Sequence, residues 1–63
     1  MIGKNIRKIM DETGWSLERL SEKSGYDTKT ILKWTQEKTT PNPYALYDLA
    51  VSMGVEMERF ING

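Results

Sequence analysis

Neither cysteine nor histidine occurs in these 63 residues. The first absence excludes a disulfide framework and thiolate metal sites; the second removes the usual acid/base group at neutral pH and the commonest metal ligand. The remaining Asp, Glu, Lys, Ser and Thr come without an activating base or a pocket-sized scaffold, so an enzyme is the poorest of the available readings and no cofactor is expected. Long apolar runs are missing too. The most apolar stretch, Tyr44 to Met53, is broken by Asp48 and Ser52 well short of a membrane span, and Met1-Ile2-Gly3-Lys4-Asn5 has no apolar signal core. The expectation is a soluble, cytoplasmic protein with no membrane partner. With 38% apolar content the chain can build one core, read as a single domain over residues 1–63, and at this size only about 60% of the unfolded chain's surface is buried.

An excess of either charge is also lacking: nine Lys and Arg balance nine Asp and Glu. Zero net charge argues against strong unspecific attraction to polyanions, yet the distribution is uneven. Residues 1–38 carry eight basic groups against six acids, whereas residues 39–63 carry Arg59 against Asp48, Glu56 and Glu58. The first part is +2 and the last −2, a separation that can orient one end toward DNA, although ordinary solvated helix faces explain it equally well.

What is present is helical periodicity. Ile2, Ile6, Ile9 and Met10 recur at helical spacing and stop at Gly14, which predicts helix one over Lys4 to Thr13. Ser16 is an N-cap for helix two, Leu17 to Ser24, with Leu17 or Leu20 inward beside the small Ser21 and Ser24, and Gly25 ends it. Asp27 caps helix three, Thr28 to Gln36. There Ile31 and Trp34 share one side, while Thr28, Lys29 and Lys33 fall on another, 29 and 33 stacked one turn apart. Glu37 to Pro43 has two prolines and no apolar period, so it is a loop, with Asn42 as N-cap and Pro43 opening helix four, Pro43 to Met53. Leu46, Leu49, Ala50 and Met53 form its apolar stripe, and Gly54 terminates it. A last helix, Glu56 to Ile61, brings Phe60 and Ile61 to the core. No strand pattern or repeat is visible, and the prediction is a compact all-α five-helix bundle.

These residues resemble the helix-turn-helix domain of phage Cro and repressor proteins and of the xenobiotic-response-element class of bacterial regulators. The resemblance runs from Ile2 to Gly63. It is carried by Ile2-Gly3, Gly14-Trp15-Ser16, Leu20-Ser21-Glu22-Lys23-Ser24-Gly25 at the corner, Thr30-Ile31 and Trp34, then Lys38, Pro41, Leu46, Leu49-Ala50, Met53-Gly54-Val55 and Phe60-Ile61-Asn62-Gly63. It implies a lambda-repressor-like fold whose helix three enters the major groove, usually in a homodimer reading a pseudo-palindromic double-stranded DNA operator. The implied base-reading residues are Thr28, Lys29 and Lys33: Lys donates to guanine O6 and N7, and Thr meets a polar edge or a thymine methyl. The implied phosphate contacts are Ser16, Gln36, Lys38, Thr39 and Thr40, where hydroxyls, backbone N–H groups and a helix N-terminus meet backbone oxygens. For a lone Lys the plain alternative is a solvated surface residue, and for Ser16 and Asp27 it is helix capping.

Several positions depart from the family pattern. Leu17 stands where a phosphate-binding Gln is common and Leu32 replaces a frequent Ser. Glu37 replaces the usual Gly after helix three, which puts an acid near the phosphate path and asks for a different helix end. Met10 and Thr35 occupy the places of an Arg and a Glu that pair between helices one and three, a joint loss that leaves no uncompensated charge. Trp15, Trp34 and Phe60 read as packing residues; Tyr26, Tyr44 and Tyr47 are open between core edge, phosphate contact and, with Met57, an apolar patch for a partner subunit.

The sequence therefore predicts a sequence-specific regulator, repressor or Cro-like, that occupies an operator without chemistry, cofactor or small-molecule ligand and is controlled by its own concentration or a partner protein. The rival is a protein-interaction module on the same scaffold that has lost DNA binding, motivated by neutral charge, Leu17, Leu32 and Glu37.

Overall fold

The computed structural model describes residues 1–62 as five α-helices: α1 (Ile2–Thr13), α2 (Leu17–Ser24), α3 (Thr28–Thr35), α4 (Pro43–Met53) and α5 (Glu58–Asn62). Gly63, counted in the family resemblance, lies outside the described residues. The all-α five-helix prediction is met, and no strand occurs among the described residues.

Twelve apolar side chains form the core: Ile6, Ile9 and Met10 from α1, Leu20 from α2, Ile31 and Trp34 from α3, Ala45, Leu46, Leu49, Ala50 and Met53 from α4, and Phe60 from α5. Every helix contributes apolar residues, but two predicted members fall short. Ile2 is only half-buried, and Ile61, expected in the core beside Phe60, is 49% exposed because consecutive residues of a helix point about 100° apart. No polar or charged residue is buried among the described residues. Of the two leucines of α2, Leu20 is the one fully enclosed, and Leu17 packs half-buried against the rim. Helix α1 lies against α3 and α5, and α2 against α3 and α4.

Local chemistry sets most boundaries as predicted. Ser16 Oγ accepts from the Arg19 N–H at 3.1 Å, and Asn42 Oδ1 from the Ala45 N–H at 2.9 Å with Pro43 in the first turn, so two helix starts are capped by side chains.

Four boundaries differ from the sequence reading, the smallest being the end of α5, at Asn62 rather than Ile61. Helix α1 begins at Ile2 rather than Lys4, because the Met1 carbonyl already accepts the Asn5 N–H at 3.1 Å and Gly3 lets the first turn press against α3. A Cβ placed on Gly3 would stand 2.1 Å from the Trp34 carbonyl oxygen, so only glycine permits this approach. Helix α3 stops at Thr35, with Gln36 as its C-cap. Helix α5 starts at Glu58 because Glu56 and Met57 form a tighter entering turn, their carbonyls accepting from the Arg59 and Phe60 N–H groups at 3.0 Å.

Candidate nucleic-acid interface

The corner between α2 and α3 is fixed by short polar bonds. Gly25 takes a left-handed backbone, φ 85°, and its N–H donates to the Ser21 carbonyl. Ser21 Oγ donates to the Tyr26 carbonyl at 2.6 Å, Ser24 Oγ donates to the Leu20 carbonyl at 2.7 Å, and the Tyr26 N–H reaches back to Ser24 Oγ at 3.3 Å. These serines, read from sequence only as small inward residues, are the hydrogen-bonded rivets of the turn. Asp27 does occupy the N-cap position with extended backbone, and its carbonyl accepts from the Ile31 N–H, but its side chain makes no capping bond. The predicted side-chain cap of α3 is corrected accordingly.

Tyr26 anchors the corner to the rest of the fold. Its ring meets Trp34 edge-on, centroids 5.2 Å apart, and its hydroxyl donates to Asp48 Oδ2 on α4 at 2.7 Å. The hydrogen bond to the carboxylate, then burial and the negative charge of Asp48, raise the phenol's pKa above its ordinary value. Sequence reasoning left Tyr26 open, since no local pattern pairs residues 22 positions apart.

Helix α3 is pinned by Ile31 and Trp34, which are buried, and turns the opposite edge outward. Lys29 and Lys33 are exposed on that edge, and Thr28 beside them is half-buried. Ser16 is exposed at the start of α2, although its Oγ is engaged in capping; Gln36, Lys38, Thr39 and Thr40 are exposed at the end of α3 and in the loop that follows. Among the described residues Lys29, Lys33 and Lys38 make no ion pair, the pairs there being Arg7 with Asp11, Arg59 with Glu12, and Glu37 with the Met1 amino group. The nearby Arg19 guanidinium is not free in the same sense, because it lies over the Trp15 ring at 4.4 Å from the centroid.

Glu37 corrects the expectation of a different helix end. It adopts the left-handed backbone itself, φ 62°, where a Cβ is unfavourable. The Lys38 N–H donates to the Lys33 carbonyl at 3.0 Å and the Glu37 N–H to the Trp34 carbonyl at 3.1 Å, the bonding that a glycine at this place would give. Its carboxylate accepts from the Lys4 N–H at 3.1 Å and from the Met1 amino group at the open start of α1. The amino group first, then the Lys4 N–H, holds the carboxyl below its ordinary pKa. This acid is therefore matched to a helix N-terminus within the fold.

The other departures converge. Met10, Trp15, Leu17, Leu32 and Thr35, with Arg7 and Asp11 at the rim, line one hollow of about 250 Å³ between α1, α2 and α3. Thr35 Oγ1 bonds back to the Leu32 carbonyl at 2.7 Å, so no stranded polar atom marks the place of an ion pair.

A helix-turn-helix family model matches residues 6–60, from within α1 to within α5. The chain belongs to the Cro/repressor-type helix-turn-helix family. Comparison with curated proteins and with solved structures returns no match. Membership gives this helix-turn-helix domain a DNA-binding, transcription-regulator type of function. No helix among its described residues is long and apolar enough to cross a membrane.

Proposed function

We propose that residues 1–63 form a single helix-turn-helix unit that represses or switches transcription by sequence-specific binding to double-stranded DNA, α3 entering the major groove and two copies occupying an operator. The observation that supports this most is the outward edge of α3: Lys29 and Lys33 are exposed without ionic partners among the described residues, on the side opposite buried Ile31 and Trp34. Lys29 and Lys33 read guanine edges, and Thr28 meets a base from the half-buried start of the helix. Lys38, Thr39 and Thr40, with Gln36, hold the phosphate rail beyond α3. Ser16 acts on the other rail through the unpaired N–H groups at the start of α2, its own hydroxyl being used as the cap. The mechanism is occupancy, with no bond made or broken.

Zero net charge makes the predicted affinity dependent on these few cations rather than on a broad basic field. Lys38 from each of two copies is the cation assigned to phosphate, and even with the base-reading Lys29 and Lys33 counted the slope of log K against log salt is no steeper than about −5. Selection of bound duplexes from a random pool, followed by fluorescence anisotropy of the winner across salt concentrations, tests the proposal. A preferred palindromic sequence with a salt slope in that range supports it; absence of binding at about 50 mM salt rejects it.

The second reading is a protein-interaction module, favoured by the hollow that Met10, Trp15, Leu17 and Leu32 line together with Arg7, Asp11 and Thr35. It predicts the opposite result in the same anisotropy experiment.

A further inference from the structure

Helix α4 is apolar on two sides. Ala45, Leu46, Leu49, Ala50 and Met53 are buried in the core, while Tyr44, Tyr47 and Val51 are 82%, 60% and 62% exposed. At 100° per residue, positions 44, 47 and 51 fall within about 60° of one another and diametrically opposite the buried set. A helix of a globular protein is ordinarily apolar on its core side only, and one that is apolar on both sides is covered on both. Asp48 is the one charged residue in α4, and its carboxylate is drawn aside to the Tyr26 hydroxyl at 2.7 Å. The outer stripe is thus uncharged along its length.

We infer that this stripe is the surface on which a second copy of the chain docks, α4 against α4 in antiparallel orientation about a two-fold axis passing beside Tyr47. The sequence of the stripe is self-complementary under that operation. An axis between positions 47 and 48 places Tyr44 of one copy level with Val51 of the other, both about 5 Å from the axis, so a large side chain meets a smaller one twice. The two Tyr47 rings meet at the axis, where offset or edge-on contact is favourable. No like charges oppose each other, since Asp48 lies to the side of the stripe.

Area decides the strength. Two largely exposed tyrosines and one valine can cover roughly 300 Å² per copy, about 600 Å² in all, against roughly 1,200 Å² at the low end of stable interfaces. The pair is therefore a monomer at micromolar concentration and forms at millimolar concentration, which is the effective concentration that adjacent half-sites on one duplex impose. The inference deepens the proposed operator binding by naming its dimer surface, but its test needs no DNA.

Sedimentation equilibrium of the full chain from about 10 μM to about 1 mM, a range bracketing weak association, is the measurement. The weight-average mass is expected to climb from monomer toward dimer. Tyr47→Glu and Tyr47→Lys, each placing like charges at the axis, weaken association at least tenfold, and an equimolar mixture of the two restores it. Because the chain has no cysteine, Tyr44→Cys mixed with Val51→Cys gives a second readout: the mixed disulfide forms faster than either self-disulfide. A monomer at 1 mM, a dimer indifferent to Tyr47→Glu, or preferential self-disulfides overturn the inference. Operator binding by a monomeric Tyr47→Glu variant, with cooperativity lost, leaves the DNA proposal standing and shows that the two fail separately.

Discussion

The Glu37 carboxylate accepts the Lys4 backbone N–H at 3.1 Å and so joins the end of α3 to the start of α1. One residue supplies both a left-handed helix stop and a remote helix cap, which explains why an acid is tolerated beside the loop assigned to phosphate. Its folded-state pKa is depressed, so its contribution to stability is present above the ordinary carboxylate value of about 4.3 and is lost as pH falls through the lower folded value. Thermal melts of the wild type and Glu37→Gln are expected to differ at neutral pH and to converge on acidification.

Gly3→Ala sets two effects against each other. Alanine favours the helix by about 1 kcal/mol over glycine. The added Cβ, 2.1 Å from a backbone carbonyl, forces α1 away from α3 at a cost of about 1–3 kcal/mol. Steric displacement wins, and the midpoint drops by several degrees in a calorimetric scan, since each kcal/mol is about 4–8 °C in a domain this small.

Tyr26 and Asp48 act as a pair. The phenol pKa is raised, so the bond stabilises below the ordinary tyrosine value of about 10 and is lost as pH climbs through the higher folded value. Ultraviolet titration is expected to show Tyr26 ionising above the ordinary tyrosine value, and Asp48→Asn to lower its ionisation. Tyr26→Phe lowers stability at neutral pH, with little further loss on adding Asp48→Asn.

Lys33→Ala and Lys38→Ala separate base reading from phosphate holding. The first is expected to lose about 1–3 kcal/mol of preference at one or two base pairs, the second to weaken all duplexes alike and to flatten the salt slope. Anisotropy on the selected operator and on single-base variants distinguishes them; equal losses across sequences for both variants contradict this division.

Legibility followed the range of the interaction. The apolar stripes, the Asn42–Pro43 start and the Ser16 cap were readable because each depends on residues within one or two turns. The early start of α1 was not, since it requires Gly3 to meet the Trp34 carbonyl across 31 positions. Asp27 looked like a capping side chain by type and place, yet its carboxylate makes no such bond. For the site, the family resemblance implied Lys29, Lys33 and the loop Lys38 to Thr40, and the fold leaves them exposed. Residue chemistry could not pick out the Tyr26 to Asp48 strut, or the shared hollow that gathers Met10, Trp15, Leu17, Leu32 and Thr35.

By itself the chain's order of residues determined five helices, their inward faces and the family pattern, because helix period and capping are local properties. Only the tertiary structure decided where Glu37 directs its charge, how closely Gly3 brings α1 to α3, and that Tyr44, Tyr47 and Val51 stay uncovered on α4. Those outcomes depend on which surfaces meet after the helices form, and a hydrogen bond or a clash between distant segments exists only once packing has brought them together.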